Sequence, residues 1–193
     1  MESYGNFIAG EWREDGVPLS VRNPYDDAVV GQVTQAAPDV VSAAVTAAVR
    51  AQPAMAALSR ESRAKILDKI AEGLWQRRDE LAKTILVESG KPITYARVEV
   101  ARSVDTFRAS AEAARSLAGE EIPIDAQRPG EGRLAFTRRF PVGPVLSITP
   151  FNFPLNLVAH KVGPAIAAGC TNVVKPASST PLSALKLAQI CHD

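Results

Sequence analysis

The chain has 193 residues and a nearly even charge balance, with 22 lysines and arginines against 21 aspartates and glutamates and a net charge of +1. This length supports one domain, or one domain with an appendage, and the balance gives no broad electrostatic preference for nucleic acid or an anionic membrane. Apolar residues make up 46% and charged residues 22% of the chain, which argues against wholesale disorder.

Cysteine usage and hydropathy argue against further classes. Two cysteines, Cys170 and Cys191, cannot build a disulfide framework, and no Cys/His grouping has the spacing of a zinc site. The opening residues, MESYGNFIAGEWRED, include acidic side chains and lack the apolar core of a secretion signal. No uncharged apolar stretch reaches the length of a membrane span. We therefore expect a soluble, cytoplasmic protein without a metal site.

Short β elements are predicted first, then a helix. Residues 7–12 are typical of a strand that runs into a bend, and residues 21–25 of a strand that runs into a turn. Pro38 opens a helix, because proline is tolerated in a first helical turn. One apolar stripe of this helix is predicted from valines that recur every four residues: Val41, Val45 and Val49.

The clearest predicted helix begins after Ser59, an N-cap residue type, and ends at Gly90 before Lys91 and Pro92. Its apolar residues are predicted to share one face: Ile66, Leu67, Ile70, Leu74, Leu81, Ile85 and Leu86. A third helix is predicted from about residue 94 to 118. The charges on these helices are expected to be solvated.

After Gly130 the pattern changes to alternating strands and helices. Residues 134–140 suit a partly exposed strand, and 145–149 a short buried one. A helix over 155–168, bent near Gly163 and Pro164, a strand over 171–175 and a helix from Pro181 follow. Strand, helix, strand and helix joined by short links predict a parallel sheet. The fold class is therefore α/β: N-terminal helices plus the first strands of a Rossmann-like parallel sheet, incomplete, with a β arm.

Two loops follow the predicted parallel strands, where ligands bind in open α/β sheets. Asn152 offers an amide donor between Pro150 and Pro154, which suits an oxyanion-binding group. Lys175 offers a cation where a nucleotide ribose or phosphate would lie. Taken singly, Asn152 is also typical of a turn beside proline, and Lys175 of a solvated lysine.

The motifs PFNFP, HKVGPAIAAG and KPASSTPLSAL, in this order and at these distances, strongly resemble the aldehyde dehydrogenase superfamily. The resemblance extends to FIAGEW, NPYDDAVVG, ESGKPI and FPVGPV, and so covers essentially the whole chain. Members acting on semialdehydes, lactaldehyde or glyceraldehyde are most alike. The match is to the N-terminal part of the family only.

The resemblance implies a domain organisation. Residues 1–193 would be the N-terminal portion of the coenzyme-binding domain, with a helical part over about 37–118. Residues 120–142 would include an arm used in homo-oligomer assembly, and residues 143–193 the first βαβα of the nucleotide-binding fold. The catalytic domain, with its cysteine nucleophile and general-base glutamate, would be absent. The resemblance therefore predicts a fragment that is inactive alone.

The resemblance also implies roles for the loop residues. Asn152 would donate its amide to the oxyanion formed when a thiolate attacks the aldehyde, and it would border the coenzyme. Lys175 would contact the adenosine ribose. The remaining coenzyme residues would be Ile148, Thr149, Pro150, Phe151, Ala177 and Ser178.

Ser178 stands where many NAD-preferring members have glutamate. A carboxylate about 4 Å from a 2′-phosphate is repelled by roughly 4 kcal/mol at an effective dielectric near 20. Serine removes this penalty, so NADP is favoured over NAD, or both are used; alternatively, Ser178 is simply a loop residue.

Neither cysteine is expected to be the nucleophile, because Cys170 suits packing and Cys191 does not form a dyad with its helical neighbour His192. The expected activity of the parent protein is oxidation of a small aldehyde to a carboxylic acid with NAD(P)+. The alternatives are a non-catalytic fragment or assembly module, and a relative that transfers the acyl group to coenzyme A.

Overall fold

Helices and short strands alternate along the described residues, 2–193 of a computed structural model. The strands are β1 (Glu2–Tyr4), β2 (Asn6–Ile8), β3 (Glu11–Arg13), β4 (Gly16–Arg22), β5 (Val29–Ala36), β6 (Glu121–Ile122), β7 (Ala135–Phe136), β8 (Val145–Ile148) and β9 (Asn172–Lys175). The α-helices are α1 (Pro38–Ala57), α2 (Arg60–Gln76), α3 (Arg78–Ser89), α4 (Ile93–Ser116), α5 (Asn156–Ala168) and α6 (Leu182–His192). Two single 3₁₀ turns lie at Ile124–Ala126 and Arg128–Gly130.

The N-terminal strands form a small sheet beside the helices. β5 lies between β1, to which it is parallel, and β4, to which it is antiparallel, while β2 and β3 form a separate hairpin. Val21 and Val33 of the sheet pack with Leu182 of α6 in a second, minor core. The sequence pattern gave no prediction for β5, although it is the central strand.

Helix α1 docks through a different stripe from the predicted one. Val40 and Ala48 are buried, and Gln52 bonds the backbone at Gly169 and Thr171. The predicted valines lie one position further round the helix and are about half exposed: Val41, Val45 and Val49. One residue rotates a helix by about 100°, so valine periodicity marked an apolar stripe that this fold does not bury. By length and composition alone, α1 is also long and apolar enough to cross a membrane, and one such helix is weak evidence of a span.

The predicted long helix is two helices. Ser59 caps α2 as expected, its hydroxyl accepting from the Ser62 N–H at 3.0 Å. The helix then breaks at Arg77, whose φ of −98° and ψ of 15° leave the helical region. The predicted apolar face nevertheless holds on both sides of the break: Leu67, Ile70, Leu74, Leu81 and Ile85 are buried, whereas Ile66 is 36% exposed. The predicted stop at Gly90 is confirmed by its left-handed φ of 69°.

Helix α4 is the centre of the main core, because α2, α3 and α5 all pack on it. Its buried residues include Val100, Val104 and Phe107. Gly163 of α5 lies so close that a Cβ there would meet the Ser110 hydroxyl at 2.6 Å. Helix α5 is continuous through Pro164 and ends at Gly169, with a φ of 81°.

The segment over 134–140 is much less regular than predicted. Only Ala135 and Phe136 are in a strand, paired with Glu121 and Ile122. Its apolar side chains have little to pack against, so an extended strand gains no burial there: Leu134 is 75% and Phe140 74% exposed.

The parallel β8–β9 pair and the helices that follow each strand confirm the predicted α/β class. Burial within β8 is the reverse of the prediction, however. Ser147 is buried and bonded by the Asn172 amide at 2.9 Å, whereas Leu146 and Ile148 are exposed. The small polar side chain faces the packed side of the strand, and the apolar residues cover the open side.

A buried lysine ties the N-terminal sheet to the helices. The Lys186 ammonium of α6, only 2% exposed, pairs with the Glu2 and Glu80 carboxylates, each at 2.8 Å. Hydrogen bonds from Arg77 and, to a lesser degree, Lys186 lower the pKa of Glu80 to about 2, although burial acts in the opposite direction. Three distant segments therefore share one ionic contact.

Acidification should weaken this contact. A lowered pKa means that Glu80 contributes stability above its unfolded value of 4.5 and loses it as the pH falls towards about 2. Because the Glu80 side chain is 43% exposed, solvent screening limits the expected effect to about 1 kcal/mol. Glu80→Gln should lower the free energy of unfolding by this amount at neutral pH, and the difference should narrow below about pH 5. Urea unfolding with exposed Glu72→Gln as control measures this; a difference independent of pH would contradict it.

Candidate functional site

Two loops lie side by side at the carboxyl ends of β8 and β9. Ile148 is paired with Lys175 in the register, and the Thr149 N–H donates to the Lys175 carbonyl at 3.2 Å. Further out, the buried Thr180 hydroxyl donates to the Phe151 carbonyl at 3.5 Å. The parallel register therefore brings residues 150–155 and 175–181, which are separate in sequence, into one surface.

The first loop presents Asn152 at the surface. Phe151 and Asn152 are exposed, whereas Pro154 and Leu155 are buried and hold the loop against the helices. The Asn152 carbonyl accepts a hydrogen bond from the Lys91 ammonium at 2.8 Å. The exposed side-chain amide of Asn152 thus belongs to a residue whose backbone carbonyl is fixed by Lys91.

Glu99 of α4 caps the helix that follows this loop. One carboxylate oxygen of Glu99 accepts from the Leu155 N–H at 3.0 Å and the Asn156 N–H at 3.2 Å. The other oxygen forms an ion pair with Lys91. Glu99 is 1% exposed, and its charge is compensated by the lysine and by the positive end of α5.

Glu88 at the end of α3 caps α6, the helix that follows the second loop. Its carboxylate accepts from the Leu182 N–H at 2.7 Å, the Ser183 N–H at 3.1 Å and the Ser183 hydroxyl. Burial raises the pKa of Glu88 to about 7, although these hydrogen bonds act in the opposite direction. Both helices behind the site are thus capped by glutamates from the preceding helical layer.

The second loop carries the remaining sequence-predicted residues. Lys175 and Ser178 are exposed and Ala177 is half-buried. The Lys175 ammonium donates to the Pro176 carbonyl at 3.2 Å, which leaves it further donors for a ligand. The structure thus brings the eight predicted residues onto two adjacent strand ends.

A groove of about 640 Å³ runs between α4 and α5. Arg102, Thr106, Ser110 and His160 are among the residues that line it. The Arg102 guanidinium also lies 5.9 Å from the centre of the Phe153 ring. One lining side chain of the groove, Arg102, is therefore near the Asn152 loop, although none of residues 150–155 lines the groove itself.

Sequence reasoning missed Glu88 and Glu99, because charges on the helices were interpreted as solvated, and it missed Lys91, which was interpreted only as part of the helix stop. Glu88 and Lys91 do belong to the quoted motif ESGKPI. For Glu99, the available signal was its place between Val98 and Val100 on a helix rich in small residues. Both cysteines lie away from the two loops: Cys170 is buried after Gly169, and Cys191 is near the end of α6.

The Glu88 cap should make stability depend on pH with the opposite sign from Glu80. A raised pKa means that the folded state binds the proton more tightly, so Glu88 contributes stability below its unfolded pKa of 4.5 and loses it as the pH rises through about 7. Relative to Glu88→Gln, the free energy of unfolding of the parent should fall by about 3 kcal/mol between acid pH and about pH 8. Urea unfolding across this range, with Glu72→Gln as control, tests it, and parallel stability curves would refute it.

The comparison with protein families matches residues 12–193 to the aldehyde dehydrogenase family. The 3-sulfolactaldehyde dehydrogenase of Priestia aryabhattai is 40% identical over 193 residues, which are all of this chain and 40% of that protein. The chain therefore spans about 40% of the length of the curated relative.

Solved structures agree with this match. Aldehyde dehydrogenase 21 of Physcomitrella patens, in complex with the reaction product succinate, superposes with a TM-score of 0.95 at 46% identity, covering 100% of this chain and 40% of that one. Glyceraldehyde-3-phosphate dehydrogenase GapN of Methanocaldococcus jannaschii, complexed with NADP, gives a TM-score of 0.85 at 41% identity, covering 93% and 37%. Another neighbour, PnpE, was solved with NAD. The chain belongs to the aldehyde dehydrogenase family.

Proposed function

We propose that this chain supplies the first half of the coenzyme site and the oxyanion donor of an enzyme that oxidises a small aldehyde to a carboxylic acid with NAD(P)+. The observation that carries the proposal is the meeting of the two loops at the carboxyl ends of the parallel strands β8 and β9. Ligands bind at this edge of open α/β sheets. Membership of the aldehyde dehydrogenase family supports the proposal, as does the name of the relative 3-sulfolactaldehyde dehydrogenase.

The residues at this edge fit a dinucleotide. Lys175 provides an exposed cation with free donor capacity, and Ile148 and Phe151 provide exposed apolar surface for a ring. Thr149, Pro150 and Ala177 supply the backbone between these groups. When bound, NAD(P)+ supplies the hydride acceptor for aldehyde oxidation.

Asn152 is proposed as the oxyanion donor. Its exposed position lets the side-chain amide reach an aldehyde, while the Lys91 and Glu99 contacts fix the adjacent backbone. A preorganised donor of this kind contributes roughly 3 kcal/mol to transition-state stabilisation. The α4–α5 groove is the proposed site for the rest of the aldehyde.

Ser178 favours NADP in this proposal. It is exposed on the loop that follows Lys175, and serine brings no negative charge towards a 2′-phosphate. Complexes with NADP and with NAD both occur among the solved neighbours, so the family alone leaves the choice open.

The domain organisation is proposed along the same lines. Residues 37–118 form the helical part and 143–193 the first half of the nucleotide-binding fold. The irregular segment 120–142 is the proposed arm of a homo-oligomer, supported by its exposed Leu134, Phe136 and Phe140. We propose a cytoplasmic location for the whole enzyme.

Titration of the chain with NADP+ and NAD+ tests the coenzyme proposal. Lys175→Ala should weaken binding of both by about 10- to 100-fold, the equivalent of one charge-assisted hydrogen bond. Ser178→Glu should weaken NADP+ binding by at least about tenfold and leave NAD+ binding unchanged or tighter, because the new carboxylate repels only the 2′-phosphate. Lys161→Ala, an exposed lysine of α5, is the control. Equal loss in the Lys161 and Lys175 variants, or no saturable binding, would contradict the proposal.

Turnover should be absent from the 193 residues alone. The proposed reaction needs a thiolate nucleophile, and Cys170 is buried while Cys191 lies on α6, away from both loops. NADPH and NADH formation with several small aldehydes, measured against buffer, tests this. Turnover above buffer would contradict this expectation, and its loss in Cys170→Ser or Cys191→Ser would identify that cysteine as the nucleophile.

A further inference from the structure

The ESGKPI segment contains a lysine that the proposed reaction does not yet use. Lys91 lies in the short link between α3 and α4, directly after Gly90. The left-handed φ of 69° at Gly90 and its closeness to Pro24, where a Cβ would lie 2.8 Å from the ring, fix the backbone at this point. The backbone from which the Lys91 side chain extends is therefore fixed in position.

The Lys91 ammonium makes three contacts beneath the Asn152 loop. It pairs with the buried Glu99 carboxylate, donates to the Asn152 carbonyl at 2.8 Å, and lies 4.0 Å from the centre of the Phe153 ring. The side chain is only 15% exposed. A single cation thus contacts both Asn152 and its neighbour, and, through Glu99, the first N–H groups of α5.

Each of the three carbonyls between Pro150 and Pro154 accepts one hydrogen bond. The Phe151 carbonyl accepts from the Thr180 hydroxyl at 3.5 Å and the Phe153 carbonyl from the Leu157 N–H at 3.0 Å, whereas the Asn152 carbonyl accepts from the charged Lys91 ammonium. Charge-assisted hydrogen bonds are shorter and stronger than neutral ones. The contact with Lys91 is therefore suited to fixing the direction from which the Asn152 amide leaves the backbone.

We propose that Lys91, held by Glu99, is a positioning residue for Asn152. Lys91 sets the orientation of the Asn152 side-chain amide, which donates to the oxyanion. This proposal rests on the proposed function, in which Asn152 is the donor. Lys91 itself does not touch the aldehyde. Its charge acts through the backbone of the loop.

The variants separate charge from shape. Lys91→Met keeps most of the side-chain volume and removes the ammonium, and Lys91→Arg restores a cation that can donate and stack on Phe153. The double variant Lys91→Met with Glu99→Gln removes both buried charges. It is expected to fold even if Lys91→Met alone, which leaves the Glu99 carboxylate buried and unpaired, does not. Lys65→Met, which removes an exposed ion pair of α2, and Leu74→Ala, which lowers stability within the core, are the controls.

The readout is ¹⁵N relaxation of the backbone amides of Phe151, Asn152 and Phe153 in the full chain. Their order parameters should be near about 0.85 in the parent and in Lys91→Arg, and should fall below about 0.6 in Lys91→Met and the double variant. Helix α2 should stay rigid in all of them. The side-chain amide signals of Asn152 should shift in the same variants, and both controls should match the parent.

Unchanged loop order in Lys91→Met and the double variant would overturn the proposal, as would loosening that Leu74→Ala reproduces. This readout needs no ligand. If the parent chain binds no nucleotide, the proposed function is refuted. The order parameters of residues 151–153 still decide whether Lys91 holds Asn152.

Discussion

Two buried carboxylates hold the site together. Glu88 and Glu99 leave water at a cost of several kcal/mol each, which N–H groups at the start of a helix offset. For Glu88 this offset is partial, because burial still raises its pKa to about 7. Those helices, α6 and α5, are the ones that follow the two site loops. The positions of the loops consequently depend on α3 and α4, which contribute none of the eight residues expected to bind coenzyme.

Close packing passes this constraint on to the loops. Gly163 lets α5 approach α4 so closely that any side chain there would collide with Ser110. Phe107 and Ala111 fill the same contact and are fully buried. Close-packed protein interiors have low compressibility and transmit strain, so we expect a shift of α4 to move α5 and the Asn152 loop with it.

The sequence predicted the local elements well wherever a short-range signal existed. The Ser59 cap, the stop at Gly90, helix α4 and the alternation of β8, α5, β9 and α6 follow from capping, glycine and periodicity, and all are confirmed. The loop residues were reached by resemblance to a family, and the chain belongs to that family.

Two failures of the prediction have a common cause: the turn at Arg77 and the unburied valine stripe of α1 depend on what packs against the helices. Strand β5 was missed for another reason, because its signal was local: Val29, Val30, Val33 and Thr34 are strand-forming residue types, and its antiparallel partner β4 is close in sequence. Distant contacts also decide the role of Glu99, whose backbone hydrogen-bond partners are 56 and 57 residues away. Only the fold distinguishes such a glutamate from a solvated one.

The direction of these capping contacts along the chain has a consequence for biosynthesis. Glu88 and Glu99 precede the helices that they cap, by 94 and 56 residues respectively at their first partners. Chains leave the ribosome N-terminus first, and local helical structure forms faster than distant pairing. Helices α3 and α4, which carry Glu88 and Glu99, can therefore be folded before the strands and loops of the site emerge. The nascent site then docks onto a prepared surface and does not have to organise one.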